Sequence, residues 1–568
     1  MSLFTIQKQL ACLTLFIFFS VTTCYSQEIG IDHQRLNQLR KEFESGKMEI
    51  SNYNTACYLA LSGDDTLAFA YLKKAVYDDG FADAASVEKD PDLNTLHHDP
   101  LWLVMLHGIE ENIRKQQKVA ALYFNQKGFW ESKALKTPYR ENISEEEKIA
   151  GLSKFWSEAK YNFVNFDLLP DLNFDSLYFA HLPKVRNTKS TLEYYQIMAK
   201  FGAMLRDGHT NVYAPQELAN ELYARPLLRS RLVEEKVLIV GVYDPKLEKE
   251  GIKVGQEIVE VNGLPVKEYA TRYVIPYQSS STWQDREVRA YDYALFAGSI
   301  HQPIELQLRD KSGSMQKHTV FRVNPEERSA KLATPPFEYS MLKGNIAYVA
   351  LNSFGSDSAA NAFAANYEDI SKANAIIFDV RNNGGGSSSV GWNILSYLIE
   401  KPFPIHAWYT REYRPSYRAW NNVQQVYGGK NNLYPNKKFF YSKPVVVLTS
   451  ARTFSAAEDF AAAFKSLDRG QIIGSATGGS SGQPLLISLP GNGTARICTK
   501  RDALANGEDF VGKGVQPDKK VAQTIEDVRK GVDTVLEEAI RQLKSNGALE
   551  RLDKTALWSE HKDDLGPL

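Results

Sequence analysis

Apolar residues recur at helical spacing through NTACYLALSGDDTLAFAYLKKAVYDDG, interrupted at Ser62-Gly63-Asp64 and closed by Gly80, which predicts a helix pair. A second helix-rich stretch covers residues 140–222. It runs from Ser144-Glu145-Glu146-Glu147 through KIAGLSKFWSEAKYNF to STLEYYQIMAKFGAMLRDGHTNVY, whose glycine-containing turn presents His209. The rhythm changes over 225–325, where LVEEKVLIVGVY alternates like a strand and GIKVGQEIVEVNGLPV reads turn, strand, turn. From 335 to 545, apolar β-branched runs (NIAYVAL, NAIIFDV, KPVVVLTS, GQIIGSAT) alternate with helix-like stretches such as SAANAFAANYEDIS and SAAEDFAAAFKSL. That alternation predicts an α/β domain, ending in the amphipathic IEDVRKGVDTVLEEAIRQLKS and followed by a tail over 546–568.

The chain start has a different pattern. Lys8 precedes an apolar run at 11–21, and Cys24-Tyr25-Ser26 offers small residues at the positions a signal peptidase inspects. Cleavage before Gln27 is expected, making 1–26 a signal peptide and the protein exported to periplasm, cell surface or medium. The run falls short of the ~20 residues that span a bilayer, so no stable membrane span is expected. A lipid anchor on Cys24 is the alternative, against which the bulk of Thr23 argues. At 568 residues the chain exceeds one hydrophobic core, so several domains are expected. With 43% hydrophobic and 24% charged residues the composition is that of a folded soluble protein. A formal charge of −1, with no dense Lys/Arg cluster, argues against nucleic acid as a partner. Beyond the signal only Cys57 and Cys498 remain, too few for a disulfide framework; Cys57 falls on an apolar helix face, as a buried thiol would.

Candidate chemistry gathers in the α/β region. In DVRNNGGGSS, Asp379 ends a buried strand and Gly384-Gly385-Gly386 opens the next helix, so backbone N–H groups can point at an anion. No Lys-Ser/Thr pair follows, which excludes a P-loop. In VVVLTSARTFSAAEDFAAAF, Ser455 stands at the first helical turn, where the N–H of Ala456 can help hold an oxyanion. Spacing alone favours the plainer reading, in which Ser455 or Thr453 caps the helix. NGEDFVGKGVQPD is a glycine-rich turn with an acidic pair, Glu508 and Asp509, and also reads as a surface hairpin.

Taken in order, DVRNNGGG, TSARTFSAAE, GSATGG and GKGVQPD resemble the tricorn/C-terminal-processing serine peptidase family, over roughly residues 140–540. The resemblance implies a multidomain α/β protein: a crotonase-like αββ-spiral catalytic core over 335–545, and a helical peptidase domain over 140–222. GIKVGQEIVEVNGLPV resembles a PDZ domain over 225–325, which takes peptide C-termini by strand addition. Residues 27–120 resemble a tetratricopeptide (TPR) repeat and a half. The processing branch activates its serine with a lysine placed after the strand that follows the nucleophile helix. GSATGGSSGQ has Ser480 near that position and no lysine, so a Ser–Lys dyad is not expected. The tricorn-like branch uses a histidine in an L-x-D-x-H phrase, which Leu205-Arg206-Asp207-Gly208-His209 supplies.

The resemblance therefore implies Ser455 as nucleophile and His209 as general base. Asp509, or alternatively Glu508, would orient the imidazole, and Ala456 with Gly385 or Gly386 would form the oxyanion hole. Tricorn has a serine directly before its histidine where this chain has Gly208, which leaves a shorter hydrogen-bond chain or a contribution from Thr210. No metal or organic cofactor is required. Expected partners are peptide or protein substrates, by way of their C-termini at the PDZ-like domain; homo-oligomerisation stays open. Two rival readings are a non-catalytic crotonase-like lipid- or ligand-binding protein and a PDZ/TPR interaction scaffold.

Overall fold

Strand Ala375–Asp379 is buried along its whole length and sends alternate side chains to opposite faces of a six-stranded sheet. In this computed structural model, which describes residues 51–123, 131, 135–423 and 425–545, the sheet is the centre of the larger of two compact units, Met1–Ser132 and Lys133–Leu568. The expected signal over 1–26 and the tail over 546–568 lie outside the described residues.

The sheet runs in the order Lys519–Lys520, Gly470–Gly474, Val445–Thr449, Ala375–Asp379, Ile346–Leu351, Phe337–Leu342. Its neighbours are parallel except for the antiparallel hairpin formed by the last two strands. Ile376, Phe378, Val445 and Val447 face helices Ser358–Ile370, Ser388–Leu395 and Ala456–Leu467. Ala375, Ile377, Val446 and Leu448 face Val535, Ala539 and Leu543 of helix Thr534–Ser545. Burial on both faces explains why these strands read as unbroken apolar runs.

Residues 228–320 form an antiparallel sheet in the order Leu228–Val233, Lys236–Val242, Glu257–Val261, Ile304–Arg309, Met315–Val320, with its own core around Ile239, Ile258 and Leu306. The helical region before it does not close alone. Asn211–Tyr213 pairs antiparallel with Gly493–Cys498, and Phe155, Tyr194 and Phe201 share a core with Leu489, Ala495 and Ile497. A further sheet joins Phe403–Glu412 to Gln425–Leu433 and Lys500–Leu504. These long-range pairings bring the turn at His209 to the loops of the α/β core.

The N-terminal unit carries helices Asn52–Leu61, Asp65–Tyr77 and Pro100–Tyr123 around Ala56, Leu72, Leu93 and Ile109. Gly63 takes φ 78° between the first two, and Asp64 caps the second by accepting from the N–H of Leu67. Cys57 is buried there as a free thiol.

Candidate active site

Ser455 sits between strand Val445–Thr449 and helix Ala456–Leu467 with φ 57° and ψ −127°. A non-glycine residue at positive φ stores on the order of 1–3 kcal/mol and persists only where its surroundings hold it. Here they do. The Phe454 N–H donates to the Asn383 carbonyl, and the Ser455 N–H lies within reach of the Ser480 carbonyl and Glu458 Oε2, each at 3.2 Å. Thr453 does not cap the helix; its hydroxyl donates to the Val380 carbonyl and accepts from the N–H of Ser450.

The histidine turn is built around Asp207. Its carboxylate accepts from the His209 N–H (2.9 Å), Thr210 Oγ1 (2.9 Å) and Asn165 Nδ2 (2.9 Å), although burial pushes its pKa upward. Ser279 and Ser281 brace the same turn, Ser279 donating to the Asp207 carbonyl and Ser281 accepting from the Gly208 N–H. His209 thus stacks on Phe454, ring centroids 4.8 Å apart, and is 3% exposed. Its Nε2 lies 2.9 Å from Ser455 Oγ and its Nδ1 lies 2.8 Å from Ser480 Oγ. Burial, then Arg496 and Arg289, pull its pKa from 6.5 to about 3, so the ring is neutral at ordinary pH. With Nδ1–H donating to Ser480, Nε2 keeps its lone pair for the Ser455 proton. Both ring nitrogens are then engaged, which leaves neither free for a metal.

Glu458, one turn into the helix, is fully buried under the loop carrying Ser480. It accepts from Thr477 Oγ1 and from the N–H groups of Gly479 and Ser480. Burial pushes its carboxyl up to about 8 against the pull of those donors.

Several expected positions need correction. Asp509 does not orient the imidazole: it is partly exposed and its carboxylate lies 3.4 Å from Arg501 Nη1. The bridge between Ala503 and Asp509 turns it to that side. Glu508 is exposed and meets its surroundings through backbone bonds with Leu504 and Asn506. Asp509 reaches His209 only at length, because Arg501 donates to Asn165, which donates to Asp207. Thr210 does not touch the ring; its hydroxyl supports Asp207 and accepts from the Cys498 N–H. The group on Nδ1 is Ser480, a position the sequence marks only as the lysine site left without lysine. Gly208 fits for the same reason, since a Cβ there would lie 2.9 Å from both the Phe454 ring and Ser480 Oγ.

Gly385 is also corrected as a donor: its N–H is given to Asn383 Oδ1 at 2.8 Å. It contributes by close approach, because a Cβ at φ +98° would come within 2.6 Å of Ser455 Cβ. The N–H groups of Ala456 and Gly386 have no acceptor among the described residues. In the N-terminal unit, Cys57, Asp90 and Asp92 place possible metal-ligand atoms within 4.8 Å of one another.

This chemistry occurs on a recognisable framework. Residues 345–521 match Peptidase family S41. Among similar curated proteins, the C-terminal processing peptidase, chloroplastic, of Tetradesmus obliquus is 28% identical over 306 residues, 53% of this chain and 58% of that protein. The carboxy-terminal processing protease CtpA of Bacillus subtilis (strain 168) is 27% identical over 300 residues, 51% of this chain and 54% of that protein. The chain thus spans a little over half the length of these relatives. The solved structure of mature CPAF is similar in fold, with TM-score 0.56 and 17% identity, covering 71% of this chain and 98% of that one. Mature CPAF complexed with lactacystin gives TM-score 0.55 at 16% identity, covering 71% and 98%.

Proposed function

We propose that the protein is an exported serine endopeptidase that hydrolyses peptide bonds through an acyl-enzyme on Ser455. The observation that carries this reading is the 2.9 Å approach of His209 Nε2 to Ser455 Oγ across 246 positions of sequence. His209 takes the Ser455 proton as Oγ attacks the scissile carbonyl carbon. The carbonyl oxygen gains the negative charge and is met by the N–H groups of Ala456 and Gly386. His209 then gives its proton to the leaving amine, and a water activated by the same imidazole releases the acyl group. Ser480 replaces an acid as the partner of Nδ1, holding the tautomer by hydrogen bonding without a charge.

The finer architecture belongs to the same proposal. Residues 335–545 act as a crotonase-like core. The antiparallel module within 225–325 acts as a PDZ-like receptor for peptide C-termini, and the N-terminal helices act as a TPR-like packing unit. Residues 1–26 direct export.

Ser455→Ala is expected to lower kcat on a mixed peptide library by about 10⁴-fold or more, with the thermal unfolding of the wild type retained. Undiminished cleavage by that variant would refute the assignment. Retention of a lipid by the purified wild type, with no peptide turned over, would favour the ligand-binding alternative.

A further inference from the structure

Behind Ser455, His209 and Ser480 lies a second buried polar cluster that acyl transfer leaves unused. Asp459 follows Glu458 on the helix and is 4% exposed. Its Oδ2 accepts from Ser388 Oγ at 2.6 Å, and its Oδ1 lies 2.6 Å from Ser481 Oγ. Ser481 Oγ is also 3.0 Å from Oδ2 of Asp502, which is fully buried. The other oxygen of Asp502 meets Lys500 Nζ at 2.7 Å and His406 Nε2 at 2.9 Å.

One hydroxyl proton therefore faces two carboxyl groups. Asp502 has Lys500 as counter-charge, whereas Asp459 contacts only hydroxyls and has Glu458 beside it on its own helix. Proton bookkeeping closes when Asp459 keeps its proton and donates it to Ser481 Oγ, while Ser481 donates to Asp502. Ser388 begins the helix after Gly386, and Ser481 follows Ser480, so Asp459 holds one loop on each of its oxygens.

We propose that Asp459, as the neutral acid, is a positioning residue that ties the Gly386 loop, through Ser388, to the Ser480 loop, through Ser481. Its ionisation leaves the single Ser481 hydroxyl proton to serve two carboxylates, so the bond from Ser481 to Asp459 or to Asp502 is lost and the rate falls. The proposal rests on Ser455 and His209 acting as described above.

Burial, then the charge of Asp502, pushes the Asp459 carboxyl up to about 6. Against the push of burial, His406 and Lys500 hold Asp502 below the ordinary carboxylate range. A raised acid binds its proton below its pKa, so the network is complete at acid pH and one of the two Ser481–carboxylate bonds is lost as pH rises through about 6.

The test compares pH profiles of kcat for wild type, Asp459→Asn, Asp459→Ala and Ser481→Ala on one peptide substrate. Asparagine reproduces the neutral acid, with its amide N–H toward Ser481 and its oxygen toward Ser388. The alanine variants are expected to lose about tenfold or more in kcat at pH 5, the worth of one such bond, with KM little changed. Asp459→Asn should recover most of that loss and remove the decline that the proposal predicts for wild type around pH 6. Near-ultraviolet circular dichroism and phosphonate titration of Ser455 correct each rate for folded, competent enzyme; if Asp459→Ala does not fold, Ser481→Ala cuts the same tie. The proposal is overturned if Asp459→Asn is as slow as the alanine variants, or if it keeps the wild-type decline. Absence of both turnover and Ser455 phosphonylation in wild type would instead bring down the peptidase reading, and the proposal with it.

Discussion

Ser455 takes a backbone conformation that its own Cβ disfavours, and Gly385 makes room for it. At φ +98° Gly385 has left-handed backbone, and a Cβ there would meet Ser455 Cβ at 2.6 Å and the Phe454 carbonyl at 2.8 Å. Gly385→Ala must therefore push the Ser455 turn away from the Gly386 N–H. The expected result is a fall in kcat of about 10²-fold, comparable to losing one oxyanion donor, with KM affected less. Steady-state kinetics on a peptide substrate check this; unchanged kcat would mean the glycine loop takes no part in the reaction. The neighbouring imidazole depends on the same crowding. Phe454 covers its face, and burial, then the charges of Arg496 and Arg289, keep the ring neutral down to about pH 3.

The strands that carry these residues are secured from below by a buried ion cluster. Arg381 lies between Asp379, at the end of strand Ala375–Asp379, and Asp533, just before helix Thr534–Ser545, with contacts of 2.6 Å to each. Tyr348 donates to Asp379 at 2.7 Å. Removing the guanidinium leaves Asp379 buried without its counter-charge, so Arg381→Ala is expected to cost about 3–5 kcal/mol in urea unfolding. A loss below ~1 kcal/mol would show that Tyr348 and solvent suffice.

Elements of this kind were readable in advance to different degrees. NAIIFDV and KPVVVLTS are buried on both faces, so composition alone marks them as strands of an α/β sheet. The partnership of Asn211–Tyr213 with Gly493–Cys498 leaves no local trace, because each strand is short and the pairing joins distant parts of the chain. The acid was misplaced for a related reason. Glu508 and Asp509 have the right neighbours in sequence, but Arg501 and the turn at 504–509 direct them elsewhere. Ser480 was visible only as a missing lysine, and a hydroxyl has no motif of its own.

At the scale of the molecule, the histidine is delivered by a helical region whose core is completed by residues 484–498, and the serine by the central sheet. Residues of the 279–284 stretch, between strands of the antiparallel module, join the two. Ser281 accepts from the Gly208 N–H, while Thr282 and Gln284 donate to the carbonyls of Gly478 and Thr477. The arrangement is one in which several chain segments must fold before the two side chains can meet. Its most direct test is the rate at which a fluorophosphonate modifies Ser455 at pH 5, followed by intact mass and peptide mapping, in wild type and in His209→Ala. The account predicts a single adduct on Ser455 in wild type and a rate lower by about 10³-fold or more without the imidazole. Equal rates in the two proteins, or an adduct on another residue, would contradict it.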